Sequence, residues 1–204
     1  MKETVHIKEL LRTLTEDVKK ELKAKPFFLV TEHDLSGFLY SKIFQMKAFQ
    51  ETFQDIAGKP NFRLHMEYPR YWEEKGKPKR KGRYDLAILR KDKPLKIFNN
   101  DLFITKQVWL GFETKLLWDS TGRRVVINME NDLPAFTNED NKIPADNGVI
   151  FHVNAGRKPN KENDLMEIKR KMEGLQKTKL VPNPLYLVYI ESYRENNKPE
   201  VVFV

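Results

Sequence analysis

One apolar segment near the middle of the chain, residues 108–117, reads VWLGFETKLL. Its length and its composition are typical of a strand buried inside a sheet. Two charged residues, Glu113 and Lys115, interrupt it. Because residues two positions apart in a strand face the same side, these two side chains project together. A buried charge is costly without a partner or a metal, so the pair marks a candidate site.

A second apolar segment carries one acid. Residues 84–89 read YDLAIL, in which Asp85 is the charged residue. If this strand pairs with residues 108–117, Asp85 can join Glu113 and Lys115. Two carboxylates and a main-chain carbonyl, here that of Thr114, are the hard oxygen ligands that Mg²⁺ prefers, and Mn²⁺ accepts the same ligands. Such a site suits phosphodiester hydrolysis, in which a lysine orients the attacking water or neutralises developing charge.

The rest of the chain predicts helices and strands in a mixed order. Apolar residues at helical spacing predict a helix over residues 4–24, and Thr31 with Asp34 predicts the capped start of a second helix. Alternation over residues 63–68 predicts a half-buried strand. Further predicted elements are strands over residues 124–129, 149–153, 185–190 and 201–204, and a helix over residues 164–177.

The order of helix, strand, Asp-bearing strand, Glu-x-Lys strand, helix and strand resembles the PD-(D/E)xK, or restriction-endonuclease-like, nuclease superfamily. The resemblance covers residues 31–190. It implies an α/β fold whose mixed central sheet is flanked by helices, in αβββαβ order with insertions. It also implies that Asp85 and Glu113 are catalytic metal ligands and that Lys115 is the catalytic lysine.

The same resemblance implies roles for two further acids, and the chain departs from the family pattern at two points. Glu67, on the strand before Asp85, matches a catalytic, metal-binding carboxylate of some members, although the solvated face of an edge strand would look the same. Glu32 matches a metal-binding acid on the leading helix, although the helix dipole alone favours an acid there. Tyr84 stands where the family often has proline. Glu113 follows Asp85 by 28 positions, which requires an insertion.

The Glu-x-Lys pattern by itself has little specificity in this chain. It also occurs at residues 21–23, 73–75 and 167–169, in predicted helices and in a polar loop. The copy that begins at Glu113 lies within an apolar strand that follows another apolar strand with an acid. We therefore favour a metal site over the alternative, a structural salt bridge among Asp85, Glu113 and Lys115.

Residues 70–83 predict a basic polar loop that joins the strand of Glu67 to the strand of Asp85. We expect this loop to hold the phosphate backbone of a nucleic acid. The alternative is a solvated hairpin tip. The formal net charge of +8 and the pI of about 9.4 agree with an anionic partner. The residues expected to contact nucleic acid are Arg70, Lys77, Lys79, Arg80, Lys81 and Arg83.

Length and composition predict one domain over residues 1–204, with a helical extension over residues 1–30 and an insertion around residues 119–158. The chain has no cysteine, which excludes disulfides and thiolate metal sites and favours a reducing compartment. No segment reaches the roughly 18 apolar residues of a membrane helix, and no stretch resembles a signal peptide. We therefore expect a cytoplasmic protein without a membrane partner.

The function expected from the sequence is a Mg²⁺-dependent endonuclease that acts on DNA, with Mn²⁺ as an alternative metal. One alternative is a catalytically inactive nucleic-acid-binding module of the same fold. Another is an interaction protein whose basic loop binds an acidic partner. The sequence leaves RNA as a substrate and a homodimer as an assembly open.

Overall fold

The structure of the protein is a computed structural model. It describes residues 2–25, 28–54, 58–74, 77–91, 95–98, 103–117, 136, 145–155, 170, 173–174, 184–191 and 200–203. The helices of this part are α1 (Lys2–Ala24), α2 (Glu32–Gln45) and a short 3-10 turn (Lys47–Phe49). The strands are β1 (Thr52–Gln54), β2 (Pro60–Phe62), β3 (Leu64–Glu74), β4 (Lys77–Leu89), β5 (Leu95–Phe98), β6 (Phe103–Lys106), β7 (Val108–Leu117), β8 (Asn147–Asn154), β9 (Leu185–Glu191) and β10 (Glu200–Phe203).

The two N-terminal helices form as their sequences predict. From Ile7 onwards helix α1 buries apolar side chains at helical spacing, among them Ile7, Leu14 and Val18. Helix α2 begins with the predicted capping box: Asp34 N donates to Thr31 Oγ1 at 3.2 Å, and Thr31 N donates to Asp34 Oδ2 at 2.7 Å. Hydrogen bonds from the Thr31 and Val30 main-chain N–H groups lower the pKa of Asp34.

Six strands form one mixed sheet in the order β10-β9-β8-β7-β4-β3. Strands β3, β4 and β7 are antiparallel neighbours, β8 and β9 run parallel to β7, and β10 is antiparallel to β9. The predicted α/β class with a mixed sheet is therefore confirmed, as are the strands expected over residues 108–117, 149–153, 185–190 and 201–204.

Helices α1 and α2 pack on one face of this sheet. Their apolar residues form one buried cluster with Phe112 of β7, Phe151 of β8 and Val188 of β9. A second cluster, which includes Tyr84 and Tyr189, covers the other face. In the part of the chain that the structure describes, no helix is long and apolar enough to cross a membrane.

The prediction of a polar loop over residues 70–83 is wrong. Strand β3 continues to Glu74 and β4 starts at Lys77, so the segment forms the end of a long antiparallel hairpin. The high density of Lys and Arg suggested a loop. A two-stranded ribbon that extends past the neighbouring strand has little to bury, however, so it tolerates charged residues on both faces.

Short hairpins account for two stretches that the sequence left without strands, β1 with β2 and β5 with β6. Other predictions fall where the structure gives no description. The strand over residues 124–129 lies outside the described residues. So do most of the helix over residues 164–177 and most of the insertion around residues 119–158.

Candidate active site

The candidate site lies where the register of β4 and β7 ends. The paired residues run from Leu89–Val108 to Leu86–Phe112. At the next position, Asp85 Oδ2 accepts hydrogen bonds from Thr114 N at 2.6 Å and from Thr114 Oγ1 at 2.9 Å. The Asp85 carboxylate thus accepts the hydrogen bond that Thr114 N would otherwise donate to a main-chain carbonyl of the neighbouring strand. Because the N–H and C=O of one strand residue point to the same side, the Thr114 carbonyl is also directed towards β4.

Helix α2 continues the hydrogen-bond network of Asp85. Because Thr114 Oγ1 donates its proton to Asp85, the 2.7 Å contact between Ser36 Oγ and Thr114 Oγ1 is a hydrogen bond that Ser36 donates. The main-chain oxygen of Glu32, 3.0 Å from Ser36 Oγ, is the alternative acceptor for the same proton. Both Ser36 and Thr114 are buried. The network therefore fixes the N-terminal turn of α2 against β7, beside Asp85.

The electrostatic environment of Asp85 is unfavourable to a negative charge. Burial is the largest cause that raises its pKa above the usual 3.8, and the two hydrogen bonds from Thr114 oppose this effect only in part. The negative charges of Glu67 and Glu32 raise the pKa of Asp85 further. The charges of two further acids thus act on Asp85, and such a concentration of negative charge attracts a cation.

Lys115 and Glu32 form an ion pair in which Lys115 Nζ lies 2.9 Å from Glu32 Oε1. The lysine side chain is 28% exposed and the glutamate side chain 45%. The sequence proposed Glu32 as a metal ligand. In this structure its contact is with the candidate catalytic lysine, so Glu32 can also orient the Lys115 ammonium group.

Glu67 lies on β3, beside Asp85. Its neighbours Met66 and Tyr68 stay in register with Leu86 and Tyr84 of β4. The Glu67 backbone has a φ of 52°, a left-handed conformation that costs an ordinary residue about 1 kcal/mol. Its carboxylate pairs with Arg83 Nη1 at 3.2 Å. Such strain is concentrated at functional sites, and here it lies next to Asp85, the acid whose pKa is raised.

Glu113 contacts a residue that the sequence did not connect with it. Its Oε1 lies 3.5 Å from Arg70 Nη1, and only 13% of the glutamate side chain and 19% of the arginine side chain are exposed. The sequence predicts Arg70 as a nucleic-acid contact of the basic loop, and in the structure its largely buried guanidinium lies beside Glu113. Of the other residues expected to contact nucleic acid, Arg83 is half exposed. The side chains of Lys77, Lys79, Arg80 and Lys81 lie outside the described ones.

The donors of this region suit a divalent metal by their chemistry. Among the residues that the structure describes, no group of three or more His, Asp or Glu side chains is arranged to hold a metal ion. The ligand set expected from the sequence contains Asp85, Glu113, the Thr114 carbonyl, Glu67 and Glu32, and the described side chains do not form that full set. Its core, Asp85 and Glu113 with the Thr114 carbonyl, needs only two carboxylates. The Thr114 carbonyl direction and the raised pKa of Asp85 both agree with this set.

Comparison with protein-family models, curated proteins and solved structures gives no match for this chain. The assignment of a function therefore depends on the geometry of these residues alone.

Three participants were missed by the sequence reading: Ser36, Arg70 as the partner of Glu113, and Tyr84. Ser36 and Thr114 are 78 positions apart, and the sequence gives no sign that they meet. Arg70 and Tyr84 meet only because residues 70–83 form a hairpin. Within that segment Gly82, which has a φ of 78°, is a local signal of a special backbone position.

Proposed function

We propose that this protein is a Mg²⁺-dependent nuclease with a restriction-endonuclease-like fold, that it hydrolyses phosphodiester bonds of DNA, and that Mn²⁺ can replace Mg²⁺. The observation that carries the proposal is the position of Asp85. Its carboxylate stands where β4 and β7 separate and is held by Thr114. The charges of Glu67 and Glu32 act on it, so a cation there relieves repulsion between acids.

The proposed metal ligands are Asp85, Glu113 and the Thr114 carbonyl, with Glu67 as an additional carboxylate. These residues would hold Mg²⁺, which when bound would supply an acidic water and offset the charge that develops on the scissile phosphate. Lys115 donates to the water or to a phosphate oxygen, and Glu32 holds the lysine in place at 2.9 Å. Thr114 keeps the Asp85 carboxylate oriented through two hydrogen bonds.

The long β3–β4 hairpin supports a nucleic acid as the substrate. Residues 70–83 contain seven basic and two acidic side chains, and this segment leads directly into Asp85. A basic segment next to the cleaved bond neutralises phosphates on either side of it.

A cleavage assay with purified protein tests the proposal. We expect DNA cleavage in Mg²⁺ or Mn²⁺ and none in excess EDTA. Glu113→Gln and Lys115→Ala should each reduce the rate by about a hundredfold or more, since the first removes a charged metal ligand and the second removes the cation beside the reacting phosphate. Glu16→Gln is the matched control, because this exposed helix residue pairs only with a neighbouring lysine in the described contacts.

Wild-type rates in both Glu113→Gln and Lys115→Ala would contradict the proposal. Tight DNA binding without cleavage and without carboxylate-dependent metal binding would instead favour the inactive nucleic-acid-binding module. Negligible affinity for random-sequence DNA at low salt would favour an acidic protein partner. A panel of DNA and RNA substrates in the same assay identifies the nucleic acid.

A further inference from the structure

The guanidinium of Arg70 packs between two residues of β4, Tyr84 and Gly82. It lies over the ring of Tyr84, with the guanidinium carbon 5.7 Å from the ring centroid. Gly82 lies directly beside it, since a Cβ atom at Gly82 would stand 2.3 Å from Arg70 Nη2. The positive φ of Gly82, 78°, also requires glycine. The glycine thus leaves the room that the arginine fills.

The Tyr84 ring is held in place by Ala145 and Gly111. Ala145 N donates to the Tyr84 hydroxyl at 3.2 Å, and a Cβ atom at Gly111 would lie 2.9 Å from the ring. On strand β7, Gly111 thus lies against the Tyr84 ring, and Glu113 follows two residues later. The result is a platform that presents the Arg70 guanidinium to the Glu113 carboxylate.

Only part of the hydrogen-bonding capacity of Arg70 is used in this position. Its Nη1 contacts Glu113 at 3.5 Å, which is an ion pair without a close hydrogen bond. Its Nε is buried and has no hydrogen-bond partner within the described residues. A guanidinium has five donors in a planar fork that matches carboxylate and phosphate oxygens, so this one can make closer contacts than it does here.

We propose that Arg70 is a phosphate-contacting residue that exchanges partners: it neutralises Glu113 in the metal-free protein and binds a substrate phosphate oxygen once a divalent ion occupies Glu113. The inference rests on the proposed nuclease function. A metal ion and the Arg70 guanidinium would compete for the Glu113 carboxylate. Metal binding would therefore release Arg70, which could then contact a phosphate oxygen of the substrate. The Tyr84 ring keeps the guanidinium within reach of both partners.

This exchange predicts opposite effects on two affinities. Arg70→Met keeps an unbranched side chain against Tyr84 and removes the charge. The variant should bind Mn²⁺ about fivefold more tightly in calorimetry without DNA, because Glu113 has lost its competing cation. It should bind duplex DNA in Ca²⁺ about tenfold more weakly, because a phosphate contact is lost. Arg70→Lys should give intermediate values for both affinities, since its charge is retained without the planar fork.

Lys91→Met is the matched control. Lys91 is an exposed residue that pairs with Glu51, away from Asp85 and Glu113. We expect unchanged Mn²⁺ affinity and at most a small loss of DNA affinity from the lower net charge. If Arg70→Met weakens both affinities together, or leaves DNA affinity at the wild-type value, the exchange proposal is overturned while the nuclease proposal stands. If the wild-type protein shows no Mn²⁺ binding that Glu113→Gln removes, the nuclease proposal fails and the exchange proposal fails with it.

Discussion

The β4–β7 pairing has two ends, a paired end at Leu89–Val108 and a separated end beyond Leu86–Phe112. Charged residues lie at both ends, but the ratio of acids to cations differs. Where the strands remain paired, Arg90 forms an ion pair with Asp146, and Gln107 Nε2 donates to the same carboxylate at 3.0 Å. There, too, Glu51 Oε2 contacts both Arg63 Nη1 at 3.6 Å and Lys91 Nζ at 3.2 Å. Each acid at this end thus contacts more than one donor.

Where the strands separate, acids outnumber cations among the described residues. Asp85 is held there by the neutral donors of Thr114, and the charges of two other acids raise its pKa. The acids of this end are Asp85, Glu113, Glu67 and Glu32, and the cations are Lys115, Arg70 and Arg83. The difference teaches that charges at the ends of apolar strands can serve two purposes: at the paired end they stabilise the fold, and at the separated end the described acids form the cation site that we propose.

The largest effect that we expect follows from Asp85→Asn. The amide oxygen still accepts both Thr114 hydrogen bonds, so the fold is retained, but the negative ligand is lost. Cleavage should fall by about a hundredfold or more, with the melting temperature equal to or above that of the wild type. Rate assays and thermal melts of the same samples measure both effects. A melting temperature clearly below the wild-type value would assign Asp85 a structural role and break the contrast between the two ends.

The opposite result is expected for Asp146→Ala at the paired end. The substitution removes a half-buried acceptor of Arg90 and Gln107, so the free energy of unfolding should fall by about 1–2 kcal/mol. The cleavage rate of the folded protein should stay within a factor of about two, because the group is remote from the proposed metal site. Denaturant unfolding and rate assays below the transition measure these effects. A large loss of activity without a loss of stability would contradict the distinction.

Much of this architecture could be predicted from residue patterns. The apolar segment with Glu113 and Lys115 forms β7, in which those two residues alone are only partly buried. The Thr31 capping box and the strands at residues 185–191 and 200–203 also follow from local chemistry. In each case a few consecutive residues carry the signal, which is a hydrophobic period, a helix cap or a continuous apolar run.

The partners within the site could not be predicted in the same way. Arg70 meets Glu113 only because residues 70–83 pair as strands, and their high charge concealed that pairing. Ser36 meets Thr114 because α2 crosses the end of β7, which depends on packing rather than on local sequence. The residue types of the candidate site can thus be predicted from local sequence, whereas the tertiary fold decides which carboxylate each cation contacts.

In the metal-free protein, the free energy of unfolding should depend on pH through Asp85 at the separated end of β4 and β7. Because the pKa of Asp85 is raised, the folded state holds this proton more tightly than the unfolded chain. Stability from this group is therefore complete below the ordinary value of 3.8 and falls as pH rises through the folded-state pKa. The gap in unfolding free energy between Asp85→Asn and wild type should widen over this window and close when Mn²⁺ is added. A gap that stays constant with pH would contradict the raised pKa.

The smallest effect is expected at the N-cap of α2, which carries Glu32 and Ser36 to the separated end. Thr31→Ala removes the side-chain acceptor of Asp34 N and should reduce the free energy of unfolding by about 1 kcal/mol. Thr31→Ser retains that acceptor and serves as the control. Ser36 still binds the first turn of α2 to Thr114 at 2.7 Å in the alanine variant, so we expect cleavage to fall no more than about threefold. A loss as large as that of Lys115→Ala would mean that the cap, rather than the contact between Ser36 and Thr114, holds Glu32 against the lysine.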